Sequence, residues 1–424
     1  MKQSPWPLER ELGMLYYASD VEGIGGSLRS VPEDFIVEEI PLEDRGGTTG
    51  PYLICRLTKT NWELQHAVKE IAKRLGMSHR RIGWAGTKDR NAITSQWISL
   101  FNVTPEQVAN VRLKDIVLEP LRQSNEQLSL GELQGNRFEL VIRGCEAPDL
   151  AASVTAINTT VAAGVPNYFG IQRFGAIRPV THKVGEWILK GDYEKAVMTY
   201  VGDTYPLETE PVREARRAYL ETRDAMAAIQ TLPIQMSYER SMLHHLANHP
   251  DDYGGALHEL PPKLLSMFVS AFQSYLFNCS LSRRFADGHT LTGPVCGDRL
   301  IFTNGRTDEV TEANKKAVSM HIARGRCGIA LFMPGKEILD ARSCGERSTE
   351  ELLEKFGIGP ANFAAAASFV HTKFDGAWRP IALRTAIESE VAGDCVRLKF
   401  VLPPGHYATT VCREFMKADP IRMI

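Results

Sequence analysis

The chain has 424 residues, of which 43% are hydrophobic and 24% charged, proportions of an ordinary soluble globular protein that exclude a disordered or fibrous one. This length accommodates two or three domains with well-buried cores. The formal net charge of −2 carries no overall signal for a polyanion partner, so any nucleic-acid surface must be a local concentration of cations.

In chain order, the N-terminal Met-Lys-Gln-Ser-Pro-Trp-Pro leads into charged residues, which argues against a signal peptide or membrane anchor. Residues 34–40 and 51–58 are rich in Phe, Ile, Val, Tyr and Leu between Gly or Pro boundaries and predict strands; 96–103 and 136–143 predict two more. Thr60-Asn61-Trp62-Glu63 has the form of a capping box. After it, Leu64, Val68, Ile71 and Leu75 recur at helical spacing as far as Gly76. Lys69, Lys73 and Arg74 lie on the outer face of that helix, and His79, Arg80, Arg81, Lys88 and Arg90 follow, with Glu70 and Asp89 the only acids among them. The cluster is either a solvated helix face or a phosphate-binding surface.

Further on, Phe138, Leu140 and Ile142 share one strand face and Arg137, Glu139 and Arg143 the other, with Val141 an exception. A sheet covered on one side produces this alternation. It returns in Cys395–Phe400, so the two ends of the chain are expected to share a sheet. From Gly164 to Leu383 the pattern is mainly helical, with Pro233–Met236, Leu300–Phe302 and Gly328–Phe332 as short exceptions. Leu264, Leu265, Phe268, Phe272, Tyr275, Leu276 and Cys279 form an apolar helical face ahead of Arg283-Arg284. No apolar run reaches the roughly 18 residues of a spanning helix. The eight cysteines, without a Cys-x-x-Cys pair, read as reduced, mostly buried thiols of a cytoplasmic protein.

Chemistry concentrates in Gly83–Trp97, where Asp89 stands between Lys88 and Arg90 after a small-residue turn. Flanking positive charge favours the charged form of a carboxylate, which leaves Asp89 as a salt-bridge partner or a nucleophile. Ala85-Gly86-Thr87-Lys88-Asp89-Arg90 followed by Ala92-Ile93-Thr94-Ser95-Gln96 resembles the catalytic loop of the TruD family of pseudouridine synthases. Five further islands resemble that family in order: Pro32–Glu39, Gly135–Phe138, Val165–Gly175, Ala271–Asn278 and Leu402–Glu414.

The resemblance implies an α+β protein. Its catalytic domain would carry a mixed or antiparallel sheet flanked by helices, built from residues 1–163 and 384–424, with a mainly helical inserted domain at 164–383. It implies isomerisation of uridine in transfer RNA at position 13, with Asp89 as nucleophile or base and Arg29 as its basic partner, Arg here where other members have Lys. It also implies Phe35, Phe138 and Tyr407 as aromatic faces for an extruded base and Asn136 as its hydrogen-bonding edge. Lys73, Arg74, Arg80, Arg81, Lys88 and Arg90 are the candidate RNA-phosphate contacts. The reaction is redox-neutral and needs no cofactor, metal, nucleotide or obligate protein partner, and Gly83-x-x-Gly86-x-Lys88 lacks P-loop spacing. Gln172 and Arg173 contact phosphate or buttress the domain junction. Two other readings remain open: an RNA-binding or RNA-remodelling protein in which Asp89 is a structural ion pair, and a metal-dependent hydrolase centred on His245 and His249.

Overall fold

The computed structural model describes residues 2–42, 47–337 and 344–424, the side chains of 344–346 excepted. The fold is α+β, and the chain divides into two compact units. One comprises Val21–Ala162 and Arg384–Ile424, the other Met1–Asp20 and Ala163–Leu383. Residues 1–20, assigned from the sequence to the sheet-bearing part, cluster instead with the central segment.

The first unit is built on a nine-stranded sheet. Its strands are β1 (Gly25–Ser27), β2 (Phe35–Pro41), β3 (Tyr52–Thr60), β4 (Ile82–Trp84), β5 (Ile93–Phe101), β6 (Ile116–Ser124), β7 (Leu133–Cys145), β8 (Glu388–Ala392) and β9 (Cys395–Leu402). The order is β8-β9-β7-β2-β5-β3-β6, with β1 on β7 and β4 on β5. Every pairing is antiparallel except β2 with β5. β9, from the end of the chain, lies directly on β7, as their shared alternation predicts, with Phe400 opposite Phe138.

Helix α1 (Leu64–Arg74) covers part of one face. Its Leu64, Ala67, Val68, Ile71 and Ala72 pack with Leu53, Cys55 and Leu57 of β3 and Ile98 and Leu100 of β5. The capping box is not formed, because Thr60 remains in the strand. Glu63 is the cap, and its carboxylate accepts from the amides of Gln65 at 2.9 Å and His66 at 2.8 Å. A second helix, α2 (Leu150–Val161), buries Val154, Ile157 and Val161.

The other unit is mainly helical. Its longest element, α4 (Pro262–Ala286), carries the predicted apolar face and packs against α3 (Thr181–Lys190). By length and composition α4 could cross a membrane, contrary to the reading of the sequence, yet 67% of its apolar window is buried inside the protein. Pro233–Met236 forms a turn between helices Ala225–Thr231 and Ser237–Asn248 rather than a strand. The other two exceptions are strands, Arg299–Phe302 and Cys327–Met333, paired antiparallel. Of the seven described cysteines, none in a disulfide, only Cys55, Cys327 and Cys412 are buried, fewer than expected from the sequence.

Helices α3 and α4 approach closely at Gly185, where a Cβ would fall inside van der Waals contact with the main-chain oxygen of Phe268. Backbone cannot yield as a flexible side chain does. Gly185→Ala is therefore expected to destabilise the protein by about 1–3 kcal/mol, read as a lowered urea midpoint with an unchanged slope.

Candidate active site

Cross-strand pairing places one row of side chains on the same face of the sheet. The row is Phe400 of β9, Phe138 of β7, Val37 of β2, Thr94 of β5 and Lys59 of β3. In the next row Asn136 lies between Leu402 and Glu39. The loop carrying Asp89 runs from the end of β4 to the start of β5.

Consecutive side chains of that loop have opposite fates. Lys88 turns inward, and its Nζ donates to Glu39 Oε2 at 2.5 Å with both side chains almost fully buried. The other carboxylate oxygen of Glu39 accepts from the Trp97 amide at 3.1 Å. Asp89 turns outward, its side chain 49% exposed. Its Oδ2 accepts from an Nη of Arg29 at 3.0 Å, a single hydrogen bond and not the bidentate fork a guanidinium can form. Arg29 itself is largely buried, holds a left-handed φ of 59° and lies 3.9 Å above the centroid of the Phe35 ring. That ring meets Phe138 edge-on with centroids 6.3 Å apart, and Phe138 stacks on Phe400 at 5.5 Å.

The loop is also held through its main chain. Gln96 Nε2 donates to Gly86 O at 2.9 Å, and Lys59 Nζ donates to Asp89 O at 2.8 Å and to Trp62 O at 2.7 Å. Burial pushes the Lys59 amine down to about 8; Asp89 and then Glu63 oppose that shift, and Lys88 adds to it. Two polar atoms beside the aromatic pair, Asn136 Oδ1 and Arg29 Nε, are buried without a hydrogen-bond partner among the described residues. A buried acceptor or donor left this way costs about 1–3 kcal/mol.

Contacts join Asp89, Arg29, Phe35 and Phe138 in one series, and Asn136 lies two residues before Phe138 on the same strand face. Tyr407 begins the helix Ala408–Met416 and is half-buried. Lys73, Arg74, Arg80 and Arg90 are exposed. Two expected phosphate contacts are committed elsewhere. Lys88 is sealed against Glu39, and Arg81 donates to Phe101 O at 2.8 Å while lying over that residue's ring. In the other unit the Val165–Gly175 and Ala271–Asn278 islands lock together. Asn278 bonds both the amide and the carbonyl of Phe169, and Arg173 donates to Ser274 at 3.1 Å. His245 is paired with Asp252 at 2.8 Å, and among the described residues no group of three or more His, Cys, Asp or Glu is arranged to hold a metal.

The model of the family described as tRNA pseudouridine synthase D (TruD) matches residues 11–415. The chain belongs to the TruD family. A protein of Methanococcoides burtonii described as probable tRNA pseudouridine synthase D is 38% identical, with 98% of each chain covered, and one of Archaeoglobus fulgidus with the same description is 34% identical over 97% of this chain and all of its own. Among solved structures, a Methanosarcina mazei protein given the same family name superposes with a TM-score of 0.82 at 35% identity, covering 98% of this chain and 99% of that one.

Within this TruD-family fold the residues missed from the sequence are Glu39, Lys59 and Gln96. Glu39 and Lys59 had a visible signal, because each is a polar residue following an apolar run on its strand face, Phe35, Val37, Glu39 and Leu53, Cys55, Leu57, Lys59; Gln96 follows Thr94 at the polar start of a face that continues with Ile98 and Leu100. Removing one member of the buried pair leaves the other uncompensated. Lys88→Met is thus expected to cost about 3–5 kcal/mol in urea unfolding, with Lys88→Met combined with Glu39→Met recovering much of the loss.

Proposed function

We propose that this protein isomerises uridine to pseudouridine in transfer RNA, at position 13, with Asp89 as the catalytic carboxylate. The observation that carries the reading is a half-exposed carboxylate held by Arg29 beside the Phe35–Phe138 pair, next to the unpartnered Asn136 Oδ1. A uridine in folded RNA must leave its stack to reach such a site. The aromatic side chains, Tyr407 among them, offer faces to the extruded uracil, and Asn136 Oδ1 accepts from its N3–H.

The chemistry is balanced within the substrate. The bond from N1 to C1′ breaks, uracil turns, and C5 bonds to C1′; N1 gains a proton and C5 loses one. Asp89 either attacks C1′ and is later displaced, or removes a sugar proton and returns it. Both routes use a carboxylate beside a sugar, and bound RNA covers the side of Asp89 that is open in the free protein. Arg29 fixes the orientation of that carboxylate through one charge-assisted hydrogen bond. Exposed Lys73, Arg74, Arg80 and Arg90 supply a local cationic surface for phosphates despite the net charge of the chain. Arg74 and Lys73 end α1, where helix-terminal carbonyls also favour positive charge. Transfer RNA as substrate fits work in the cytoplasm.

Unmodified transfer RNA treated with the protein, then with a carbodiimide that marks pseudouridine, can be mapped by primer extension. The native protein is expected to produce one stop, reporting position 13, and Asp89→Asn none, with transfer-RNA affinity unchanged. A stop elsewhere would overturn the position, and no stop with tight binding would favour an RNA-binding role with Asp89 as a structural ion pair.

A further inference from the structure

Strand β3 presents Leu53, Cys55 and Leu57 to the core beneath α1, and the next residue on that face is Lys59, with no exposed surface. A lysine is a poor choice for packing, since burying its amine carries a desolvation cost that an aliphatic side chain avoids. Its hydrogen bonds go to two main-chain oxygens, those of Trp62 and Asp89. These belong to two separate loops that are also joined by the Asn61 amide donating to Ala92 O at 3.2 Å. Asn61 adopts a left-handed φ of 59° at that junction.

We propose that Lys59 is the positioning residue of Asp89, holding the aspartate's main-chain oxygen from beneath the loop so that its carboxylate stays against Arg29 when the uridine sugar arrives. The inference rests on the isomerase reading above. Asp89 is held at two points: its main chain by Lys59 at 2.8 Å and its carboxylate by Arg29 at 3.0 Å. Lys88, Gly86 and Ala92 anchor the rest of the loop, so releasing either point lets the half-exposed aspartate shift locally. Because the amine is pushed down to about 8, both of its forms are accessible near neutrality, and both have enough hydrogens to serve the two oxygens. Lys59 has no surface from which to touch RNA, so its effect passes through the main chain it holds, of which the Asp89 oxygen lies nearest the proposed chemistry.

The test compares native protein, Lys59→Met and Lys59→Ala in single-turnover release of tritium from transfer RNA labelled at uracil C5, with affinity measured separately. A displacement on the order of 1 Å costs roughly 100-fold in rate. Lys59→Met is accordingly expected to lose roughly 100-fold in rate while its transfer-RNA Kd stays within about twofold. Propylammonium, which matches the atoms deleted in Lys59→Ala, is expected to restore part of the rate where propanol does not. Should Lys59→Met fail to fold, Lys59→Ala refolded in propylammonium carries the comparison, with activity lost on its removal. A folded variant at the native rate overturns the proposal, as does a loss shared equally by rate and affinity without rescue by the amine. No release by the native protein overturns the isomerase reading and this inference together.

Discussion

A carboxylate that must meet a bulky substrate has to stand out from the protein, and the loop carrying it can then be held only from behind. Here the hold comes from buried polar side chains of three neighbouring strands. Glu39 of β2 binds Lys88, Gln96 of β5 binds the carbonyl of Gly86, and Lys59 of β3 binds the carbonyl of Asp89. Each is a desolvated contact. The buried charge-assisted bonds among them are stronger than neutral ones in water and costly to leave unmade. The sheet order β2-β5-β3 is what brings the three together.

The same sheet supplies the rest of the site. Register aligns Phe400, Phe138 and Val37 on the face that also carries Lys59, and Phe35 closes the edge under the guanidinium of Arg29. β9 comes from the end of the chain, so the aromatic stack on β7 is complete only when the segment after the insertion has paired. The long separation in sequence between Phe138 and Phe400 is bridged by one antiparallel ladder. Asn136 and Arg29 leave buried polar atoms unpaired among the described residues, which is destabilising.

Much of this was legible in the sequence because it follows from short-range pattern. Alternation in Arg137–Arg143 and Cys395–Phe400 identified the shared sheet, and the apolar spacing after Glu63 identified α1. The resemblance of the loop carrying Asp89 to the family's catalytic loop lies in local residue order. What local pattern could not show is the direction each cation takes. Lys88 and Arg90 flank the same aspartate, yet one is sealed against Glu39 and the other is exposed, because the partner of Lys88 lies on a strand 49 residues away. Arg81 likewise serves Phe101. The Thr60 capping box failed because the residue continues the β3 ladder opposite Ile93, leaving Glu63 to cap the helix. Glu39 and Lys59, polar residues following apolar runs on their strand faces, were the overlooked sign of the support beneath the loop.

The most direct test of that support is the single-turnover rate of uridine isomerisation by Glu39→Gln at saturating protein, measured well below the variant's unfolding temperature. Glu39 is buried and cannot meet the substrate, so a positioning account predicts a fall of roughly 100-fold with RNA affinity retained. A folded Glu39→Gln protein that turns over at the native rate would show that Asp89 does not depend on what lies beneath it, and would contradict the account.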